Sequence, residues 1–381
     1  MKPLMQPQKK ALSIGTVMID IITVIADNDI ELMTLHNMTS SFLMLEQGRK
    51  IESQSIETYV GGGAANTAVC MSRLGMDMDI LGIVGDDLNG EKIVKRLTEE
   101  NIDQAHLITD PHDGSGVAVH ISSHDRNAAI FTHRGANCSL TNAQVEAVDF
   151  NKYDLIYITN LSNQSADHFP LVIQRAAQAN CFVASNPGIR QLTRLCDDFL
   201  AALPSISLLS INKVECETLV PKLIAEDHKH AHATLCHPEY GKQDDPAKHP
   251  PLLKSGFQFG GFSLGLVDCM KILSNHGPDY VVITDGSKGA YLMTGDYLYY
   301  CPPQEVVMRG SAGAGDSFSS TLASLIAAGN DPDVALYAAS ANAVSVISHV
   351  DTQEGLLPFD HLNQNIKSEA QDGAIICWKV T

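Results

Sequence analysis

The second half of the chain alternates between apolar runs of strand length and longer segments in which apolar residues recur at helical spacing. Strands are predicted at residues 155–159, 181–185 and 206–211, and helices at residues 166–179, 189–200 and 213–220. This order is typical of βαβ units, so it predicts an α/β fold with a mostly parallel central sheet flanked by helices. Asn160, Asn186 and Asn212 each follow one of these strands, at the sheet edge where ligands bind in such folds.

The first half of the chain contains further strand patterns. Residues 12–22 form an apolar run, broken by Gly15, which we interpret as one buried strand with Asp20 near its end. By itself, an acid at such a position is typical of a turn. Other elements are predicted as strands at 53–60, 79–84, 115–122, 127–133 and 280–284, a hairpin at 290–300, and helices at 90–100 and 332–349.

Two segments rich in small residues each lead directly into a helical pattern: VGGGAANTA at residues 60–68 and RGSAGAGDSF at residues 309–318. Small residues let the backbone turn tightly and approach a ligand, and the first N–H groups of a helix attract phosphate. Asp316 lies in the second segment. A carboxylate there either caps the helix or takes a proton from a hydroxyl group during phosphoryl transfer, and the segment alone leaves both interpretations open.

Together, and in this order, the two segments resemble the signature regions of the ribokinase (PfkB) family of sugar and nucleoside kinases. An N-x-x-E motif at residues 212–215 and a strand with a glycine turn at 280–290 extend the resemblance over nearly the whole chain. The resemblance implies a single ribokinase-like domain, residues 1–381, with a small β-lid formed by segments within about 21–60 and 115–134. It also implies ATP-dependent phosphorylation of a hydroxyl of a small sugar, with Mg²⁺ as cofactor.

The resemblance assigns a role to each residue that matches a family position. Asp316 would be the general base, and the amides of Gly313, Ala314 and Gly315 would form an anion hole for the transferring phosphoryl group. The expected substrate-binding residues are Asp20, Gly62, Gly63, Asn66 and Arg134. The expected nucleotide-binding residues are Asn186, Asn212, Thr284, Gly286 and Asn342, and Glu215 would organise Mg²⁺.

Some of these positions allow a second interpretation. Asn212 and Glu215 also fit a reciprocal helix cap, in which each side chain binds the other residue's backbone. Arg134 could equally be a surface arginine in a loop. The family commonly has D-T-T before G-A-G-D, whereas this chain has Gly310, Ser311 and Ala312. Because the missing acid and hydroxyl help to bind potassium in some members, potassium binding is in doubt here.

Composition limits the classes of partner. The chain has 381 residues, of which 44% are hydrophobic, and a formal net charge of -18, which argues against nucleic-acid and anionic-membrane partners. The nine cysteines are scattered without CxxC spacing, as in a protein that keeps its thiols reduced. Neither a signal-peptide pattern nor an apolar run of about 20 residues is present, so a cytoplasmic protein is expected.

Residues 221–261 depart from the family pattern and are predicted to form a polar insertion. His228, His232 and His237 could bind a metal there, but the polar, proline-containing composition favours a solvated segment. Three functions remain open: a sugar kinase, favoured by the form of the 60–68 segment, a nucleoside kinase, and a non-catalytic protein that binds sugars or nucleotides. Family lids often pair, so a homodimer through the lid is also considered.

Overall fold

The computed structural model describes residues 2–25, 31–34, 41–44, 48, 50–122, 128–227, 250–369 and 374–380. The strands are β1 (Lys10–Ile14), β2 (Met18–Ile25), β3 (Glu31–Thr34), β4 (Ser41–Met44), β5 (Ser53–Gly61), β6 (Asp77–Gly85), β7 (Leu107–Asp110), β8 (Gly116–Ser122), β9 (Ala128–His133), β10 (Leu155–Ile158), β11 (Phe182–Ser185), β12 (Leu208–Asn212), β13 (Phe257–Phe259), β14 (Phe262–Leu264), β15 (Tyr280–Thr284), β16 (Ala290–Thr294), β17 (Tyr297–Cys301) and β18 (Ile376–Lys379). The helices are α1 (Gly63–Arg73), α2 (Leu88–Glu99), α3 (Asn142–Glu146), α4 (Phe169–Gln178), α5 (Ile189–Thr193), α6 (Cys196–Ala202), α7 (Lys213–Asp227), α8 (Pro251–Ser255), α9 (Leu266–Asn275), α10 (Ala314–Ala327), α11 (Pro332–Ile347) and α12 (Phe359–Glu369).

A central sheet organises the described part of the chain. Its ten strands lie in the order β18-β17-β16-β15-β12-β11-β10-β1-β6-β7. The seven strands from β15 to β7 are parallel, and β16, β17 and β18 extend the sheet antiparallel at one edge. Strand β1 lies between β6 and β10, so the strands that follow it in sequence are added first on one side of β1 and later on the other. This reversal of strand order opens a crevice at the carboxyl ends of β1 and β10, where parallel sheets bind their ligands.

Helices cover both faces of the central sheet, as the α/β prediction requires. Alternate residues of each buried strand point to opposite faces, so Leu12 and Ile156 belong to one core and Ala11 and Leu155 to the other. The first core includes buried side chains of α3, α4, α6, α7 and α9, and the second includes those of α1, α2, α10, α11 and α12. The second face carries both segments of small residues that precede helices.

The predicted strand at residues 12–22 is wrong in one respect, because the structure divides it into β1 and β2. Gly15 and the following two residues turn the chain out of the central sheet. Strand β2 then joins a separate four-stranded sheet, here called the small sheet, in the order β5-β2-β8-β9. Asp20 is consequently in the middle of a small-sheet strand, opposite Tyr59 and Ala118, rather than at the end of a central strand.

Close backbone contacts join the small sheet to the central sheet. Gly62 precedes α1 with φ of 92°, and a Cβ at this residue would lie 2.6 Å from the carbonyl oxygen of Thr16, so only glycine fits. The Thr16 hydroxyl accepts a hydrogen bond from the Gly63 N–H at 3.1 Å. Asn137 binds the backbone of Val17 on both sides, accepting from its N–H and donating to its carbonyl, each at 2.8 Å.

The predicted insertion at residues 221–261 is partly integrated into the fold. Helix α7 continues to Asp227, and Leu223, Leu252 and Phe257 are fully buried in the core. The ends of this segment therefore pack on the domain, because apolar side chains on α7, α8 and β13 cover the first face of the sheet. The candidate metal ligands His228, His232 and His237 lie outside the described residues.

Candidate active site

Helices α1 and α10 begin next to each other at the carboxyl edge of the central sheet. The clearest contact between their first turns is a hydrogen bond from Asn66 Nδ2 to Asp316 Oδ2, at 2.9 Å. The α10 cap is Gly313, which has no side chain to contribute, and Asp316 binds Asn66 across the helix pair. We therefore set aside the interpretation of Asp316 as a simple helix cap.

The start of α10 presents free backbone amides beside an open space. Gly313 has φ of 78°, and a Cβ there would lie 2.8 Å from Thr352 Cβ, so this turn also requires glycine. The next amides, on Ala314 and Gly315, belong to the first turn of the helix and have no carbonyl partner within it. Nothing lies within 4 Å of a Cβ built at Gly315. An anion can therefore approach these amides at the positive end of the helix dipole.

The Asp316 carboxyl group is an unusually weak acid for an aspartate. Burial raises its pKa from 3.8 to about 6, the hydrogen bond from Asn66 opposes this effect, and the negative charge of Asp20 adds to it. A carboxyl group with a pKa near neutrality can both accept a proton and release it at physiological pH. The arrangement of Asp316 thus suits a general base better than a fixed negative charge.

Asp20 lies in the small sheet and faces the same region. Its side chain is buried, and a Cβ at Gly61 would clash with its carboxylate, so glycine at residue 61 leaves room for the acid. His120 Nε2 on the neighbouring strand β8 lies 3.4 Å from Asp20 Oδ1, which is a long contact. Buried carboxylates are normally well hydrogen-bonded, so Asp20 retains the capacity to accept hydrogen bonds from a ligand.

A cavity of about 1150 Å³ lies beside the start of α10. Thr284 and Gly286 line it from the β15 turn, Gly315 and Phe318 from α10, and Val344 from α11. The cavity thus meets the α10 amides at Gly315 and is mainly apolar elsewhere. A ligand with a flat apolar part and a phosphate tail matches this combination, since apolar walls bury the first and backbone amides bind the second.

The asparagines at the carboxyl ends of β11 and β12 form hydrogen bonds that hold their own segments. Asn186 Nδ2 donates to the Ser210 carbonyl at 2.7 Å. The Asn212 N–H donates to Glu215 Oε2 at 2.8 Å, and the Glu215 N–H donates to Asn212 Oδ1 at 2.9 Å. This is the reciprocal cap that the sequence allowed. Burial raises the pKa of Glu215, so a cation bound nearby would stabilise its ionised form.

One sequence-based assignment changes in the structure. Asn342 does not line the cavity, because it is fully buried, donates to Thr321 Oγ1 at 2.8 Å and accepts from the Leu357 N–H at 2.9 Å. Its amide holds α10, α11 and the following loop together, which leaves it no capacity for a ligand. Arg134 is half-buried and donates to Ser162 Oγ at 3.0 Å, at the end of β9.

Sequence reasoning missed several residues of this site. Thr16 and Asn137 fix the junction of the two sheets, His120 contacts Asp20, and Thr352 and Gln353 contact Asn66. Strand alternation could have indicated the position of His120. This residue lies two positions after Ala118, which is opposite Asp20, so all three share one face of the small sheet. Thr352 and Gln353 lie in a loop without regular pattern, so the sequence gives no comparable signal for them.

Two absences apply to the part of the chain that the structure describes. No group of three or more His, Cys, Asp or Glu side chains there is arranged to hold a metal ion. No helix among those residues is long and apolar enough to cross a membrane.

Comparison with known proteins adds a family match. The family model described as pfkB family carbohydrate kinase matches residues 9–239 and 265–359. A deoxyribokinase of Salmonella typhi is 22% identical over 349 residues, which cover 90% of this chain and 97% of the relative. The family model leaves out residues 240–264, which overlap the predicted insertion at residues 221–261.

Solved structures share the fold. A nucleoside kinase of Burkholderia thailandensis in complex with inosine superposes with a TM-score of 0.69 at 16% identity, covering 95% of this chain and 99% of its own. A protein described as ribokinase II from E. coli, in complex with ATP and Mg²⁺, gives a TM-score of 0.67 at 16% identity, with 94% and 99% covered. These likenesses show a ribokinase-type fold for this chain.

The raised pKa of Asp316 predicts a pH-dependent effect of Asp316→Asn on stability. The folded carboxyl binds its proton more tightly than the unfolded one, so its ionisation destabilises the fold as pH rises from about 4 to about 6. Asparagine keeps an acceptor for Asn66 but cannot ionise. The variant should therefore melt at a higher temperature than the wild type at pH 8, and the difference should vanish toward pH 4.

Thermal unfolding across this pH range measures the effect. Asp296→Asn, on the exposed turn between β16 and β17, is the matched control and should show no comparable difference. Equal melting temperatures of wild type and Asp316→Asn at every pH would contradict the assignment of a raised pKa to Asp316.

Proposed function

Because the chain belongs to the pfkB family of carbohydrate kinases, whose members are phosphotransferases, we propose that it transfers the γ-phosphoryl group of ATP to a hydroxyl of a small sugar, with Asp316 as general base. The observation that carries the proposal is the arrangement at the start of α10. Free amides at Gly313–Gly315 adjoin a carboxyl group whose pKa is about 6. Phosphoryl transfer needs such a pair, one to bind the charged group and one to accept the proton.

The nucleotide occupies the cavity between the β15 turn, α10 and α11 in this proposal. Its base lies against Phe318 and Val344, and its phosphates extend past Thr284 and Gly286 to the α10 amides. The amides of Gly313, Ala314 and Gly315 hold the oxygens of the transferring group, where negative charge accumulates. Asn186 and Asn212 act indirectly by fixing the segments after β11 and β12.

The acceptor lies on the other side of the transferring group, beneath the small sheet, which serves as the lid. Asp20 accepts hydrogen bonds from acceptor hydroxyls, and the backbone at Gly62 and Gly63 lets the acceptor approach α1. Arg134, at the end of β9, adds positive charge close to the junction of the two sheets. Asp316 takes the proton of the reacting hydroxyl while the hydroxyl oxygen forms a bond to the γ-phosphorus. The bond from the γ-phosphorus to the β,γ-bridging oxygen breaks, and ADP leaves with that oxygen.

Glu215 is the residue that would hold Mg²⁺. It is a single half-buried carboxylate, and a cage of protein ligands is absent from the described residues. This fits Mg²⁺, which is commonly held by one or two carboxylates together with substrate phosphates and water. When bound, the ion would neutralise charge on the phosphates of ATP.

A sugar is the preferred acceptor, and a nucleoside is the alternative. The 60–68 segment resembles the ribokinase and fructokinase versions of the motif, and the deoxyribokinase match covers nearly the whole chain. The nucleoside kinase with inosine has the same fold, so the fold does not separate the two classes. A non-catalytic binding protein would have no need of a carboxyl group whose ionisation destabilises the fold at neutral pH.

Turnover of magnesium-ATP, followed as ADP release, tests the proposed reaction. The acceptors are pentoses, hexoses, sugar acids, sugar phosphates and nucleosides, each compared with Asp316→Asn. Wild type should turn over one class, and the variant should lose about 10²- to 10⁴-fold in kcat because it lacks the base. Near-normal turnover by Asp316→Asn would refute the role of Asp316. ATP binding without turnover on any acceptor would favour a binding protein.

Gly315→Ala tests the anion hole separately from the base. The open space at Gly315 accommodates a methyl group, and alanine favours a helix, so the melting temperature should stay equal or rise. The methyl group would occupy the space in which we place the phosphate. We expect kcat/KM for ATP to fall by at least about tenfold, because a misplaced or lost anion-hole donor costs that much or more.

Gly260→Ala is the matched control, since it also adds a methyl group to open space, between β13 and β14. Its kcat/KM for ATP should equal that of the wild type. Unchanged ATP kinetics in Gly315→Ala would show that phosphate does not bind at this helix start.

A further inference from the structure

The orientation of the Asn66 amide is fixed by three hydrogen bonds. Its Nδ2 donates to Asp316 Oδ2 at 2.9 Å, and its Oδ1 accepts from Thr352 Oγ1 at 3.1 Å and from Gln353 Nε2 at 3.2 Å. The side chains of Asn66, Thr352 and Gln353 are all buried. A flipped amide would direct Oδ1 at the Asp316 carboxylate and Nδ2 at the Nε2 donor of Gln353, and both contacts would be unfavourable, so only one orientation is permitted.

Gln353 is itself oriented by an arginine. Arg96 Nε on α2 donates to Gln353 Oε1 at 3.0 Å, and a guanidinium group can only donate, so the glutamine must direct Nε2 toward Asn66. Arg96 pairs with Glu100 at 2.9 Å, and Arg73 Nη1 donates to the backbone carbonyl of Gln353 at 2.8 Å. The donors thus run in one direction, from Arg96 through Gln353 and Asn66 to Asp316.

We propose that Gln353, supported by Thr352 and Arg96, is a positioning residue that keeps an Asn66 N–H on the base Asp316. This inference rests on the proposed function. The consequence for Asn66 differs from the sequence-based expectation, because its oxygen is saturated and cannot accept a bond from a sugar hydroxyl. With Oδ2 held by Asn66, the other carboxylate oxygen of Asp316 is left for the acceptor. The α11–α12 loop (residues 348–358) thereby becomes part of the active-site support.

The ionisable groups that surround Asp316 come from four other elements. Asp20 on β2 raises the pKa of Asp316, and His120 on β8 contacts Asp20. Cys70 on α1 and Tyr157 on β10 are buried, and burial raises the pKa of each, so both remain neutral near pH 6. None of these groups contacts Gln353 in the hydrogen bonds described above. A change at Gln353 should therefore reach Asp316 through Asn66.

Gln353→Met tests the proposal, since methionine has a similar length but cannot donate a hydrogen bond. The Asn66 amide can then rotate, and its bond to the ionised base weakens. We expect kcat to fall about five- to tenfold at pH 7, a range typical of a weakened hydrogen bond to a charged group. The acid limb of the kcat–pH profile should move to higher pH, and KM for ATP should be unchanged. Gln104→Met, on an exposed loop, is the matched control.

Combining Gln353→Met with Asn66→Ala separates positioning from general support of the fold. If Gln353 acts through Asn66, its substitution should change kcat by less than about twofold when Asn66 is already alanine. A loss of equal size with and without Asn66 would overturn the proposal, as would an unchanged kcat and acid limb in Gln353→Met alone.

A second measurement requires no substrate and distinguishes failure of this inference from failure of the proposed function. The difference in stability between a protein and its Asp316→Asn version changes at the pH where Asp316 ionises. This pH should be higher in Gln353→Met than in the parent protein, because a bond that stabilises the carboxylate is weakened. An identical pH in both would overturn the inference, whether or not an acceptor has been found.

Discussion

The hydrogen bond between Asn66 and Asp316 is the interaction on which the site depends. It joins the first turns of α1 and α10, which are 250 residues apart in sequence and lie on the same face of the central sheet. Both helices start after glycines that no other residue could replace without strain, Gly62 and Gly313. The bond therefore fixes Asp316, the proposed base, relative to the α10 amides and to the junction with the small sheet at the same time.

Burial disfavours the ionised form of a carboxyl group, and at Asp316 this effect raises the pKa toward neutrality. A solvated aspartate with an ordinary pKa is a poor proton acceptor at neutral pH, whereas partial burial brings Asp316 to a pKa of about 6. The Asn66 bond limits the rise, so the group remains ionised at pH 7. The net charge of -18 does not oppose phosphate binding, because the amides at the start of α10 supply local positive potential.

The periodic parts of the chain and the two glycine-rich segments were predictable, because each carries a local signal. The alternation after residue 153 correctly predicted parallel strands and covering helices, and the order of the two segments correctly indicated the family. The division of residues 12–22 into β1 and β2 was not predictable from apolar periodicity. Both strands are apolar, and only tertiary contacts at Thr16 and Val17 turn the chain between two sheets.

The contacts that support the site could not be predicted from the sequence either. Asn342 lies in a small-residue helix that could pack in several ways, and only the packed structure shows that its amide is satisfied in the core. Gln353 belongs to a loop, and its contact with Asn66 spans 287 positions of the chain. Such long-range polar contacts produce no periodic pattern in the sequence, whereas the helices and strands that they hold together do produce one.

The most direct test of this account is the pH dependence of kcat at saturating magnesium-ATP and acceptor. The account predicts that kcat rises with pH and levels off with an apparent pKa of about 6 or somewhat higher, because bound phosphates add negative charge near Asp316. The Asp316→Asn variant should lack this rise. A kcat that is independent of pH from about 5 to 9, or the same rise in Asp316→Asn, would contradict the assignment of Asp316 as the base.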